Sequence, residues 1–195
     1  MKARIISVMS VIFLAFSADS FAIDRDAKFI DSIGAIGLSY KDGKMMNFQL
    51  WGETALGRLN KDWALVVGIG AGTESPDNSA NRDFLNGLAG VKYYFSEYTS
   101  LALLAGYLGY ESDSNRDITS ASLVGKHRFI AVTEGVSPFF TASAAYRLID
   151  RGGNRDDNSE IVGSIGLGCE FMMTEDLSLV FEAAYVHGES LDSGG

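Results

Sequence analysis

Alternation of apolar and polar residues, interrupted at a regular beat by turn signals, limits this chain's fold more than any other feature. A period of two sends successive side chains to opposite faces of an extended strand. Segments of this kind run near 31–40, 46–58, 62–73, 84–95, 99–111, 119–132, 137–149, 159–172 and 177–187. The nine predicted strands are long for a globular sheet, where about 5–6 residues is usual. The connections between them alternate in kind. Leu59-Asn60-Lys61-Asp62, Ser96-Glu97-Tyr98-Thr99, Thr133-Glu134-Gly135-Val136 and Thr174-Glu175-Asp176-Leu177 are tight. Residues 74–83, 112–118 and 150–158 are longer and polar, and Lys41-Asp42-Gly43-Lys44 falls on their side although it is short. Short turns at one end and longer loops at the other are what an antiparallel barrel crossing an outer membrane shows.

The two faces differ in chemistry. In 137–149, Phe140, Ala142, Ala144, Tyr146 and Leu148 oppose Thr141, Ser143 and Arg147. In 159–172, Ile161, Ile165, Leu167, Cys169 and Phe171 oppose Ser164, Gly166, Gly168 and Glu170. In 46–58, Phe48, Leu50 and Leu56 oppose Asn47, Gln49 and Glu53. One polar face therefore gathers Glu53, Lys92, Lys126, Arg128, Arg147, Glu170 and Glu182, with both signs in near balance. A sheet closed on itself with this face inward would hold the charges as a paired lumen network. Its apolar face would then meet hydrocarbon, where a charge costs roughly 2–4 kcal/mol at the midplane. A soluble barrel would reverse the two faces. Strand 99–111 is apolar on both faces. His127 lands on the apolar one unless a bulge near Gly125 shifts it.

Aromatic positions point the same way. Trp63, Tyr93, Tyr94, Phe95, Phe129, Phe139, Phe140 and Phe171 fall near the tight-turn ends of strands. Tyr40, Phe48, Phe84, Tyr107, Tyr110, Tyr146 and Tyr185 fall near the long-loop ends. Two aromatic belts are what the two interfaces of a bilayer select. Trp51 and Phe181 fit them less well. The N-terminus adds a route to such a membrane. Lys2 and Arg4 precede an apolar run from Ile5 to Phe16, and Ser20 and Ala22 are small residues at the positions a signal peptidase reads. Residues 1–22 are expected to be a secretory signal cleaved near Ala22, and 23–195 the barrel domain. Cys169 is the only cysteine, so neither an internal disulfide nor a lipid-anchored N-terminus is expected. After Ile23 no apolar run approaches the roughly 20 residues of a membrane helix.

The expected fold is all-β, an antiparallel up-and-down transmembrane β-barrel of 8–10 strands in a bacterial outer membrane. Leu88-Ala89-Gly90-Val91-Lys92-Tyr93-Tyr94-Phe95 with its following polar turn, and Val66-Val67-Gly68-Ile69-Gly70-Ala71-Gly72, resemble recurrent strands of the outer-membrane-protein β-barrel domain family, the small OmpA/OmpX-like bacterial barrels. The likeness covers essentially the whole mature chain. It implies a monomer of eight or ten strands, inserted by the barrel-assembly machinery, with no single activity. The C-terminal end departs from the family. After Phe181 and Tyr185 the chain trails into Gly188-Glu189-Ser190-Leu191-Asp192-Ser193-Gly194-Gly195, without a closing strand that ends in an aromatic. Nine counted strands against an even expectation mean either that one strand is miscounted or, the favoured alternative, that this is a ten-stranded barrel lacking its last strand.

Chemistry is sparse. A formal net charge of −9 speaks against nucleic acid, whose phosphates need a basic patch. No metal-ligand spacing, phosphate loop or nucleotide fingerprint occurs, and no cofactor is expected. The oxygen-rich loop Asp150 to Asn158 lacks calcium-site spacing and carries Arg151 and Arg155. The expected role is structural or surface-interacting, with a polar, side-chain-filled lumen and acidic external loops that meet membrane lipid and lipopolysaccharide. A small porin-like channel is one alternative. A lipid acyl hydrolase or transferase, built on His187, Glu189 and Ser190, is the other; no catalytic residue is assigned.

Overall fold

The computed structural model describes residues 32–40, 43–55, 63–77, 80–111, 117–130, 135–150, 158–173 and 177–190. The expected signal segment, the turn at 59–62 and most of the loops at 112–118 and 150–158 lie outside them. Nine strands follow one another around a single sheet: β1 (Ser32–Tyr40), β2 (Gly43–Ala55), β3 (Trp63–Pro76), β4 (Arg82–Tyr94), β5 (Thr99–Tyr110), β6 (Asp117–Arg128), β7 (Val136–Asp150), β8 (Asn158–Met172) and β9 (Ser178–Ser190). Each observed strand overlaps its expected segment. The strands reach further than expected toward the long-loop end: β3 runs to Pro76, β4 starts at Arg82 and β7 runs to Asp150.

The sheet closes. Neighbours pair antiparallel from β1 through β9, and β9 returns to β1. That last pairing is parallel, with Ile36 opposite Glu182 and Leu38 opposite Ala184. Parity forces this: in an up-and-down sheet the first and ninth strands run the same way. The expectation that an even strand number is needed for closure is thus corrected, because nine strands close through one parallel seam. The bulge considered near Gly125 is absent too. Pairing runs unbroken from Thr99↔His127 to Gly109↔Asp117 on one side of β6, and from Asp117↔Asp150 to Arg128↔Phe139 on the other.

At the tight-turn end, Ser96 Oγ accepts hydrogen bonds from the backbone N–H of Tyr98 and Thr99, each at 3.2 Å. Gly135 carries φ 94°, a left-handed conformation that a Cβ disfavours, and its carbonyl accepts the N–H of Met172 at 2.9 Å. The turn between β6 and β7 is thereby tied to the end of β8.

Alternation along the strands sorts the wall into two surfaces. Outward positions carry the large apolar side chains: Phe48, Leu103, Ile165 and Leu167 are 63%, 57%, 59% and 64% exposed. Among the described side chains, the charged groups of outward parity are Lys44, Asp83, Asp117 and Asp150, each at or next to the loop end of its strand. His127 lies one residue from the turn end of β6, where its Nδ1 pairs with Thr99 Oγ1 at 2.9 Å. The outer wall between the rims is uncharged among these residues.

Candidate functional site: the barrel lumen

All seven residues of the expected charge network line the lumen. Their heights differ, and that decides what the lumen is. Glu53, Lys92, Lys126, Arg128 and Glu170 sit near the tight-turn ends of β2, β4, β6 and β8. There they form two clusters. Glu170 Oε2 accepts from Lys126 Nζ at 2.8 Å and from Arg128 Nε at 3.0 Å. Its Oε1 accepts from Ser178 Oγ at 3.1 Å, so both carboxylate oxygens are satisfied. Glu53 accepts from Lys92 Nζ at 2.7 Å and from the Tyr94 hydroxyl. Hydrogen bonds to charged groups are worth roughly 1.5–3 kcal/mol each, which helps offset the desolvation of the ions.

Aromatic rings complete this floor, and here the belt assignments need correction. Tyr94 and Phe139, expected in the belts, point inward. Lys92 Nζ lies 4.7 Å from the centroid of the Tyr94 ring, and Lys126 Nζ 4.0 Å from that of Phe139. Phe139 is 1% exposed, its ring laid over the bare backbone of Gly168. Ser137, Ala64 and Ser100, also near the turn end, are 0%, 3% and 3% exposed, so the described side chains are closely packed there. Tyr110 also points inward, where it meets Phe84 edge-on at 6.1 Å. With Ile118 and Ile149 the pair forms a buried apolar cluster on the β4–β7 side of the loop end. Period two already forbids the original assignment. Phe139 and Phe140 are neighbours, as are Tyr93, Tyr94 and Phe95, so they cannot all share a face.

The remaining belt residues lie outside, where described. Trp63 and Tyr93 meet at a tilt with centroids 5.0 Å apart, and Tyr93 meets Phe95 edge-on at 4.9 Å. Phe140, Tyr146 and Tyr185 are exposed, and Phe171 packs on Phe181 at 6.1 Å. Tyr107 has outward parity, and its ring lies over Gly109. The side chain of Tyr40 lies outside the described residues. Trp51, a poor fit to the belts, lies in the lumen: a Cβ at Gly34 would meet its ring at 2.5 Å, and one at Gly68 at 2.9 Å. Two glycines on the flanking strands therefore make room for the indole against the inner wall.

Above the floor the lumen is open. A cavity of about 890 Å³ remains, so side chains fill only the turn end and not the whole interior. Eight strands give a barrel that side chains can just fill, and a ninth adds space. Glu182 borders this cavity, its carboxylate accepting from Thr141 Oγ1 at 2.5 Å within a recess left by Gly166. Arg147 and Glu160 pair at 3.4 Å near the loop end, with side chains 32% and 23% exposed against 18% and 6% for Lys126 and Glu170. Solvent therefore reaches the cavity from the loop end on the β7–β8 side.

Among the described residues no group of three or more His, Cys, Asp or Glu side chains could hold a metal ion. His187 is exposed on β9, and the side chains of Glu189 and Ser190, its suggested catalytic partners, lie outside the described residues. In comparisons with protein-family models, curated proteins and solved structures, nothing matches this chain.

Proposed function

We propose that this chain is an integral outer-membrane β-barrel with a structural or surface-interaction role, its turn end closed by the lumen ion network and its loop end presented to the exterior. One observation carries the reading. The outer wall holds bulky apolar side chains and, among the described residues, charge only at its loop-end rim, while Glu53, Lys92, Lys126, Arg128, Arg147, Glu170 and Glu182 face inward. In water this wall would be a contiguous apolar patch far beyond the few hundred Å² a soluble monomer tolerates. In a bilayer it is the favourable surface, and the partners are outer-membrane lipid and lipopolysaccharide. The small monomeric barrels that the chain resembles fit this reading, as does export by a cleaved signal.

The packed, ion-paired turn end favours a non-conducting barrel over a small channel. An ion entering the turn end would meet the Glu170 cluster with Lys126, Arg128 and Ser178 on one side and the Glu53–Lys92 pair on the other. Purified barrel reconstituted in a planar bilayer is therefore expected to give no discrete conductance steps, whereas steady unitary currents would replace this reading with the channel one. Charge at the exposed loop rims would then act through external contacts rather than through transport.

A further inference from the structure

The ions of the lumen divide by height. At the turn end three cations, Lys92, Lys126 and Arg128, stand against two carboxylates, Glu53 and Glu170. Around the open well the balance reverses. Glu74, Glu160 and Glu182 border it, against Arg82 and Arg147. Among the described residues the well therefore carries one excess negative charge, above a turn end with one excess positive charge. A low-dielectric wall focuses such a field into the cavity it encloses.

Two of the well's carboxylates have a cation at hand. Arg147 pairs with Glu160 at 3.4 Å, and Arg82 stands opposite Glu74 in the β3–β4 register. Glu182 differs. Among the described residues it accepts from the Thr141 hydroxyl and makes no ion pair. Lys126 attracts it through space, but that ammonium is held by Glu170 at 2.8 Å and by the face of the Phe139 ring. Glu182 Oε1 lies in the Gly166 recess beside Thr141 Oγ1. Its Oε2, with no hydrogen bond among the described residues, keeps access to the cavity.

The surroundings of this carboxylate are hydrocarbon and indole. Ile36 stands opposite it on β1, and Val186 shares its inward face of β9. Trp51 reaches over from β2: a Cβ at Gly34 would meet both the indole, at 2.5 Å, and the Val180 carbonyl, at 2.8 Å. The ring thus crosses β1 toward β9, on the side of the well where Glu182 stands. A carboxylate and an aromatic ring in an apolar recess suit an ammonium that carries hydrocarbon. They do not suit a bare divalent metal, which takes six or more oxygen ligands or waters. The cavity lies within the roughly 300–1,000 Å³ typical of small-molecule sites.

We propose that this well binds a small organic ammonium, which enters from the loop end, pairs with Glu182 and lays its hydrocarbon against Ile36, Val186 and the Trp51 ring. The proposal rests on the membrane-barrel reading only for the fold in which the well exists.

Trp51 supplies the test. The chain has 2 tryptophans, so Trp63→Phe leaves only the one in the well. That variant, refolded in phosphatidylcholine vesicles, is titrated above neutral pH with bromobenzylammonium as a heavy-atom quencher. Bromobenzyl alcohol and bromobenzoate are titrated in parallel at the same ionic strength. Saturable quenching by the ammonium is expected, with the alcohol and the carboxylate weaker. Adding Glu182→Gln should raise the half-saturating ammonium concentration about tenfold, the equivalent of roughly 1.4 kcal/mol, and leave the alcohol's unchanged. If the glutamine variant does not fold, Glu182→Leu, whose side chain suits the apolar recess, carries the same expectation. Quenching that rises linearly without saturation would mean bilayer partitioning with only solvent in the well, and would overturn the proposal. So would ammonium saturation that loss of the Glu182 charge leaves unchanged, or tighter saturation by the alcohol or the carboxylate. Failure of the membrane reading would show separately, as protein that does not sediment with the vesicles.

Discussion

Replacing Glu170 with glutamine is expected to cost the folded barrel about 3–5 kcal/mol, the effect of removing one partner from a buried ion cluster. Glu170 is 4% exposed and holds two cations at once through one oxygen. Glutamine keeps the shape but not the charge, so Lys126 and Arg128 would face one another uncompensated at the buried turn end of the lumen. Lys126 would keep its place over the Phe139 ring, 4.0 Å away, but a cation–π contact of about 0.5–2 kcal/mol cannot replace a buried carboxylate. Urea unfolding from vesicles, read by the electrophoretic shift between folded and unfolded barrel, measures the loss. Adding Lys126→Met to Glu170→Gln should return a large part of it, because one uncompensated charge leaves with its partner. A loss below about 1 kcal/mol would mark the cluster as no better than an exposed ion pair.

Ile165→Arg is expected to cost about 2–4 kcal/mol in a bilayer, the penalty for a cation at the lipid face near the midplane. Ile165 stands midway along β8 and is 59% exposed on the outer wall. On a soluble protein the same change at a position this open would fall within about 0.5 kcal/mol of neutral. The solvent around the barrel therefore sets the size of the effect. Lys44→Ile at the loop-end rim is the matched control, since a charge near the interface costs only about 0–1 kcal/mol. Both variants can be compared in the same vesicle unfolding assay.

Most of the architecture was legible in the chain because period two is a strict geometric code. A segment such as 159–172 shows Ile161, Ile165 and Leu167 against Ser164, Gly166 and Glu170, and β8 presents those two sets to opposite sides. The charge positions were legible for the same reason. The aromatics were not, when assigned by height along the strand alone. Tyr94 lies two residues from Lys92, and Phe139 two from Thr141, so both share the inward face of a residue already on the polar side. Height says which end of the barrel a ring lies at, while parity says which surface it joins. The parallel seam could not be read from strand patterns, because closure by an odd number depends on three-dimensional curvature. The cavity was hidden for a related reason. It depends on the width of the closed sheet, which strand glycines do not report: Gly72 seats the Phe84 ring as Gly168 seats that of Phe139, and neither position reads differently in the sequence.

The account stands on the outer wall contacting lipid. A nitroxide attached at single cysteines in a Cys169→Ser background tests this, with one label replacing Ile165 and another replacing Ser143 on the inner wall. In bilayer-reconstituted barrel, the label at 165 should collide preferentially with oxygen, which concentrates in hydrocarbon, and be screened from a water-soluble nickel chelate. The label at 143 should show no such preference for oxygen. Ready access of the nickel chelate to position 165 would place that wall in water and contradict the account.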